Sequence, residues 1–484
     1  MPVHFDLIIT ADYPNLVAEF RLLDGNGVQI GWRQTDFKSI PVGRRRGLFD
    51  LRDYVWIYVE EGRESAAVAE IGVCIAEDVL GGEIFKKLWE SEAQRTLRIQ
   101  LPGASDDGNY LAAALARVPW EIARPSPDKP TLGERNLVVR VVHEMGAPAS
   151  EPMELAAGEP LRVLFVFAEA RDSPPLQARQ ERLDLLRLFE RDIYPQRRVL
   201  AHFLTHGVTR ERLQSQIRDN GGYHIVHWIG HGHLNRLELA KAGGASDRIS
   251  GEELLDMFTN PDVGGFIPRL FFLCACHSGI ILRVKDWADF VAAAEGKDPR
   301  AKDREEMAIE VEQQPGFTGT AHALLQGGVK SVVAMRYSVR ETYACELALE
   351  FYRALLGHTQ PKTAAAALTI ARGALLQKRD QSRFEVCDHA TPVLYGAEQP
   401  GLALAQGRSP ALDERRNARL HQITELTTAV HEHFVGRTWE LAGLGADWMG
   451  STSGAEVTPV AVITGLGGMG KTALVAEALA VWES

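Results

Sequence analysis

Between residues 160 and 400 the chain alternates short apolar runs with longer amphipathic ones, and this alternation constrains the fold more than any other feature. The runs LRVLFVFAEA (161–170), RRVLAHFL (197–204), YHIVHWIG (223–230), RLFFLCAC (269–276) and KSVVAMRY (330–337) read as strands. Leu270 to Ala275 is almost wholly apolar, as expected of a strand buried on both faces. The stretches LQARQERLDLLRLFERDIY, ERLQSQIRD, TGTAHALLQGG and ACELALEFYRALLG lie between or after them and read as helices. Strands alternating with helices predict an α/β fold, with a mostly parallel sheet covered by helices on both faces.

The preceding residues carry shorter β-type runs: FDLIITA, VAEFRLL, YVWIYVE, RTLRIQL and NLVVRVV. Phe5, Leu7 and Ile9 alternate along the first, the period of a half-buried strand. The Pro-rich stretch APASEPMELAAGEP (147–160) marks a boundary. We therefore expect a non-catalytic subdomain over 1–155 and an α/β subdomain over 156–400. A helical linker over 401–455 follows, and a final segment over 456–484. Ser409 can cap a helix whose first turn suits Pro410. Leu420, Ile423, Leu426, Val430 and Phe434 continue it as an amphipathic stripe. The charged stretch 280–315 is long for a connection inside a compact domain, which marks a functional loop or a surface excursion.

At 484 residues, 45% hydrophobic and 24% charged, the chain has ample material for a core. Its formal net charge of −11 gives no general field for nucleic acid or an anionic membrane. The five cysteines, Cys74, Cys274, Cys276, Cys345 and Cys387, are scattered and odd in number, unlike a secreted disulfide framework. The start, MPVHFDLIITADYP, lacks the basic and apolar regions of a signal peptide. No apolar run reaches the roughly 18–20 residues of a membrane helix. These features place the protein in a reducing cytoplasm.

The strand YHIVHWIG continues as HGHLN, so His224, His227, His231 and His233 fall within ten residues. Alternate strand residues face opposite sides. His224 and His227 are three apart and cannot share one metal on a regular strand, and no carboxylate or cysteine nearby in sequence completes a set. Those two read as polar residues of a strand's edge or packing. His231 differs, because Gly230 and Gly232 bracket it just past the apolar run. Ligands of open parallel sheets bind beyond the carboxyl ends of the strands, and glycine lets backbone approach a substrate. His231 is thus placed as a base, with His233 a weaker neighbour.

RLFFLCAC ends at Cys276, followed by His277, Ser278 and Gly279. A thiol becomes a strong nucleophile when an imidazole helps form its thiolate. Two adjacent strand ends would bring His231 and Cys276 together, with backbone N–H groups of Gly232 and Cys276 receiving the oxyanion. Cys74, Cys274, Cys345 and Cys387 read instead as small core hydrophobes.

GHG after one apolar strand, then A-C-x-S-G after the next, resembles the CHAT branch of the caspase-like (clan CD) cysteine peptidases, to which separase is related. A caspase-type histidine also precedes its cysteine by roughly 50 residues. VPWEIA (118–123) resembles the family's L-P-W-E-L element, and ERNLVVRVV the strand after it. TGTAHALLQGGVKSVVAMRYSV resembles A-x-A-F-L-x-x-G-A-x-S-V-V-A-x-L-W-x-V, and ATPVLYG resembles W-x-P-F-x-L-x-G. The likeness covers about residues 1–400, with the first third a degenerate half. It implies His231 as base and Cys276 as nucleophile, with no cofactor. Cys274 stands where the family has Ser. Tyr337 stands at the aromatic of W-x-V, and Arg340 where an Asp is usual. These three positions of the substrate pocket, Tyr337, Arg340 and Glu341, leave two preferences open. Glu341 would select a basic residue before the scissile bond, as in Arg- and Lys-cleaving relatives; Arg340 turned inward would select an acidic one. The likeness also implies a regulatory or self-cleaved loop over 280–315.

GLGGMGKT (465–472) matches the phosphate-binding pattern G-x-x-x-x-G-K-[ST]. Gly465, Gly467 and Gly470 would let backbone N–H groups cradle phosphates. Lys471 would reach the β- and γ-phosphates, and Thr472 would ligate Mg²⁺. FVGRTWELAGL (434–444) resembles the opening motif of the NB-ARC/STAND signalling ATPases. No acidic second motif follows before Ser484, so the chain reads as a fragment that does not hydrolyse ATP by itself. ATP and Mg²⁺ would bind only with the missing NTPase and sensor region.

The sequence therefore favours a cysteine endopeptidase acting on a protein substrate. It would be the effector of a nucleotide-gated bacterial signalling or defence protein, oligomerising on activation, with no nucleic acid or membrane partner. A catalytically silent docking scaffold is the alternative, and a metal hydrolase built on the histidines is a third.

Overall fold

The computed structural model describes residues 3–12, 15–59, 61–90, 95–102, 110–135, 137–143, 155–174, 176, 178–205, 207–233, 236–260, 265–275, 319–357, 362–378, 384–396, 406–412, 437, 440–441 and 463–482. The fourteen strands described are β1 (Val3–Asp12), β2 (Val17–Asp24), β3 (Gln29–Asp36), β4 (Arg95–Leu101), β5 (Leu137–His143), β6 (Leu161–Ala168), β7 (Val199–Leu204), β8 (Ile225–Gly230), β9 (Gly232–His233), β10 (Arg236–Ala240), β11 (Ser246–Ser250), β12 (Leu270–Cys274), β13 (Ser331–Met335) and β14 (Pro392–Gly396). Eleven of them form one sheet in the order β3-β2-β1-β4-β5-β14-β13-β12-β8-β6-β7. The pairings β1–β2, β2–β3 and β13–β14 are antiparallel and the others parallel. The fold is mixed α/β, with a large, mostly parallel sheet flanked by helices. The strands of 1–155 and those of 156–400 lie in this same sheet, joined where β14 meets β5.

Both faces of the central strands are covered, as the continuous apolar runs demand. Val226, Trp228, Phe271 and Leu273 enter a core that extends to Phe20 and Trp120. Ile225, Ile229, Phe272 and Cys274 enter the opposite core, with Phe189, Leu347 and Phe351. The helices Ala178–Leu188 and Glu341–Leu356 border that second core.

One expected strand is a helix. YVWIYVE, rich in β-branched and aromatic residues, lies on the helix Leu51–Trp56 and the turn after it. The reason is the residue before it: Asp50 accepts the N–H of Asp53 with its side chain and caps the helix. That local capping outweighs a β preference that depends on a pleated, half-buried setting. Near the other end, the Ser409 Oγ accepts the N–H of Ala411 and donates to the carbonyl of Val199; the helix expected after it lies outside the described residues beyond Leu412. The stripe from Leu420 to Phe434 lies outside the described residues.

A buried ionic network binds the two halves. The carboxylate of Glu121, in the VPWEIA element, faces Arg336 beyond β13 at 3.0 Å and Arg372 of the helix Ala364–Lys378 at 3.0 Å. Arg336 also donates to the carbonyl of Ala390. Burial alone would raise the Glu121 acid, but the two guanidinium charges hold it below the usual carboxylate range. Gly396 closes β14 at φ +106°, where a Cβ would lie 2.2 Å from the carbonyl of Lys330. Only glycine fits there.

Candidate active site

β8 and β12 are parallel neighbours in continuous register, Val226 beside Phe271 and Ile229 beside Cys274. The offset is 45 residues, the same as that between His231 and Cys276, two positions on. Cys276 and the loop 280–315 lie outside the described residues. Gly230 ends β8 beside Ala168 of β6. A Cβ on Gly230 would sit 2.8 Å from the carbonyl oxygen of Ala168, so the strand end tolerates no side chain.

After Gly230 the chain enters a small second sheet, β11-β10-β9. Gly232 and His233 pair with Leu237 and Arg236, and the N–H of Glu238 donates to the carbonyl of His231 at 3.2 Å. The loop bearing His231 is thereby tied down on its far side. His233 takes part through its backbone register.

The half-buried His231 ring has a partner that the sequence did not suggest. Its Nε2 lies 2.7 Å from the carbonyl oxygen of Pro174. A carbonyl only accepts, so Nε2–H is the donor and the Nδ1 lone pair remains for proton transfer. Pro174 is itself held in place. Nearby, Arg171 donates its N–H to the carbonyl of Gly244 at 2.8 Å, and the Asp172 carboxylate accepts the N–H of Ser246 at 2.8 Å. The turn after β6 is thus clamped to the β10–β11 hairpin of the small sheet that follows His231. A main-chain carbonyl has no residue signature, although SPP (173–175) just past an apolar strand was a legible turn.

His224 and His227 are fully buried. His224 Nδ1 accepts the N–H of Arg162 at 3.1 Å. His227 stacks on Phe272 with ring centres 4.6 Å apart, and its Nδ1 lies 3.2 Å from the Tyr352 hydroxyl. Burial lowers its pKa to about 3, so its ring is neutral.

The three residues expected at the substrate differ in their surroundings. Tyr337 is buried, its hydroxyl donating to the carbonyl of Arg117 at 2.8 Å and its ring 5.5 Å below the Arg117 guanidinium. This environment is packing, and burial raises its hydroxyl pKa. Arg340 precedes the helix Glu341–Leu356, and its Nε donates to Glu385 at 2.9 Å. Glu341 opens that helix and is half-buried.

At the carboxyl end the helix Lys471–Trp482 begins at the lysine of the phosphate-binding pattern. Gly465, Gly468 and Gly470 all have positive φ. Lys471 Nζ donates to the carbonyls of Gly465 and Leu466 at 2.9 and 2.7 Å. Thr472 and the turn before it are exposed. The apolar run VAVIT (460–464) just before the motif, expected as a strand, lies mostly outside the described residues. Farther along, Glu477 pairs with Arg182 at 2.5 Å, both buried. No helix among the described residues is long and apolar enough to cross a membrane.

The CHAT domain family matches residues 109–431. No curated protein matches the chain. Among solved structures, the Arg-specific cysteine proteinase gingipain R is similar at 14% identity and a TM-score of 0.35, covering 73% of this chain and 77% of that one. The Saccharomyces cerevisiae separase–securin complex is similar at 10% identity and a TM-score of 0.41, covering 82% of this chain and 30% of that one.

Proposed function

This chain belongs to the CHAT domain family, and from that premise we propose that it is a cysteine endopeptidase with Cys276 as nucleophile and His231 as base. The observation that carries the reading is the in-register pairing of β8 with β12, two residues short of His231 and Cys276 respectively. The hydrogen bond from His231 Nε2–H to Pro174 supports it further, because it leaves Nδ1 to accept a proton.

In this mechanism Nδ1 takes the Cys276 thiol proton as sulfur attacks the scissile carbonyl carbon. Backbone N–H groups of Gly232 and Cys276 receive the developing oxyanion. The imidazolium returns its proton to the leaving amine, giving a thioester. Water then attacks the thioester, Nδ1 takes the water proton, and sulfur leaves with a proton restored.

We assign specificity to Glu341. Of the two open preferences, the Glu341 one gains support because the Arg340 guanidinium is engaged with Glu385. A carboxylate opposite a guanidinium or ammonium would select a basic residue before the scissile bond. The segments 401–455 and 456–484 would be a linker and a nucleotide-binding segment. ATP and Mg²⁺ at Gly465–Thr472 would gate the peptidase in bacterial defence signalling in the cytoplasm. The charged 280–315 loop, with Lys297, Arg300, Lys302 and Arg304, is the place for regulatory self-cleavage.

A fluorogenic peptide library varied at the residue before the scissile bond tests this, with wild type beside Cys276→Ala. Cleavage after Arg or Lys that is lost in Cys276→Ala is the expected result. Cleavage after Asp or Glu would transfer specificity to Arg340. Cleavage that survives Cys276→Ala would remove the dyad, and no cleavage with ATP and Mg²⁺ present would leave the scaffold alternative standing.

A further inference from the structure

Four side chains that this chemistry does not use meet in the core beside the strands that lead to it. They are Glu181 of the helix Ala178–Leu188, His227 of β8, Cys274 of β12 and Cys345 of the helix Glu341–Leu356. The ligating atoms of Glu181, His227 and Cys274 all lie within 4.8 Å of one another, and all three residues are buried. Cys345 joins through its Sγ, 3.4 Å from Glu181 Oε2.

Two buried atoms in this cluster lack partners. Glu181 Oε1 and His227 Nε2 have no hydrogen-bond partner among the described residues, although each residue is at most 2% exposed. They face each other at 3.6 Å, beyond hydrogen-bond range. Buried polar atoms are almost always satisfied, so a converging pair that is not requires a physical reason. The other His227 nitrogen, Nδ1, is engaged with the Tyr352 hydroxyl. That is how a ligating histidine is oriented: one nitrogen fixed by an outer partner, the other directed at the ion.

We propose that Glu181, His227 and Cys274, with Cys345 as the fourth ligand, bind one divalent cation of the zinc class. Nitrogen, thiolate sulfur and a single carboxylate form a zinc-type set, unlike the all-oxygen sets of calcium or magnesium. Zinc bonds of roughly 2.0–2.3 Å at tetrahedral angles put ligand atoms about 3.4–3.8 Å apart. Glu181, His227 and Cys274, already within 4.8 Å of one another, reach this with inward side-chain shifts of about an ångström; Cys345, beside Glu181, turns inward to complete the set. Both thiols release their protons to solvent on binding. Four protein ligands leave no open position, so the ion is structural: it clamps two helices to the two strands that end next to His231 and Cys276. The sequence argument against a His224–His227 pair still holds, because the other three ligands come from different elements.

The test uses the full chain carrying Cys276→Ala, which removes the dyad thiol and keeps this inference separable from the peptidase reading. Metal content is measured by plasma mass spectrometry after chelator-free purification. The chelator-stripped protein is then titrated with Co²⁺ alone. About one zinc per chain is expected, together with thiolate-to-cobalt charge-transfer and tetrahedral d–d absorption. Cys274→Ser or His227→Gln in that background should cut bound metal at least tenfold. Absence of both zinc and the cobalt bands overturns the proposal, as does undiminished metal in folded ligand variants. Should those variants fail to fold, maleimide labelling mapped by mass spectrometry decides: chelator should speed labelling of Cys274 and Cys345, and equal rates with and without it refute the site.

Discussion

Replacing Glu121 by Gln keeps the shape of the side chain and removes the carboxylate that pairs with both Arg336 and Arg372. The Arg336 guanidinium contacts both carboxylate oxygens at 3.0–3.2 Å, and Arg372 lies 3.0 Å away. At an effective dielectric near 20, each pair at this distance attracts by about 5–6 kcal/mol before desolvation is charged against it. The intact cluster is therefore worth little net. Removing its one anion is different, because two buried cations then face each other without a counter-charge. Losing one partner of a buried pair costs about 3–5 kcal/mol. In a domain of this size that corresponds to a fall in Tm on the order of 10 °C. The assay is thermal and urea unfolding followed by tryptophan fluorescence, with Trp120 next to the substituted residue. The pH sign follows from the depressed Glu121 acid. Its contribution is fully present above the unfolded carboxylate pKa and is lost as pH falls through the lower folded value. The gap between wild type and Glu121→Gln should be constant near neutrality and narrow in acid. The triple variant Glu121→Leu, Arg336→Met, Arg372→Met should recover to within about 2 kcal/mol of wild type, since it buries no orphan charge. A single-variant loss under about 1 kcal/mol, or a triple variant less stable than the single, would refute the reasoning.

Two further perturbations read other parts of the molecule. Gly230→Ala places a methyl against the Ala168 carbonyl and the Trp228 indole, 2.8 and 3.1 Å away, and pushes β8 from β6 where His231 begins. It should lower kcat/KM by about 100-fold while costing about 1–3 kcal/mol of stability, and near-normal turnover would contradict the tight strand end. Asp388→Asn acts through pH. Burial raises Asp388 to about 6, above its ordinary 3.8, with Arg52 only partly offsetting it. Ionisation is thus costlier in the folded chain: the cost is absent below pH 4 and full above pH 6, up to about 3 kcal/mol. The Asn variant should have the higher urea midpoint at pH 7.5 and match wild type near pH 4; lower stability at pH 7.5 would reverse the sign and sink the account.

The central strands of 156–400 were legible because LFFLCA and IVHWIG are apolar on both faces, as a strand covered on both sides of a parallel sheet demands. Gly230 and Gly232 around His231 were legible for a related reason, since glycine past a buried strand announces a close backbone approach. YVWIYVE is helical against its β preference because Asp50, just ahead of the helix, caps it, a signal that lies outside the run itself. Tyr337 carries a substrate role only through its likeness to the family's W-x-V aromatic; in the fold its ring lies under the Arg117 guanidinium. The Pro174 carbonyl carried no identity to read. The cluster of Glu181, His227, Cys274 and Cys345 fails a spacing search for a deeper reason. A spacing rule finds ligands on one element, whereas these four come from two helices and two strands separated by as many as 164 residues. In the sequence Cys274 and Cys345 read as small hydrophobes; the structure buries Cys274 and leaves Cys345 half-buried. What changes the reading is convergence: β8 and β12 turn His227 and Cys274 to the same core, and the two helices bring a carboxylate and a second thiol to meet them. A sheet that sets His231 and Cys276 two residues beyond paired strands also fixes what lies a step below them, so the polar cluster and the proposed dyad are consequences of one register.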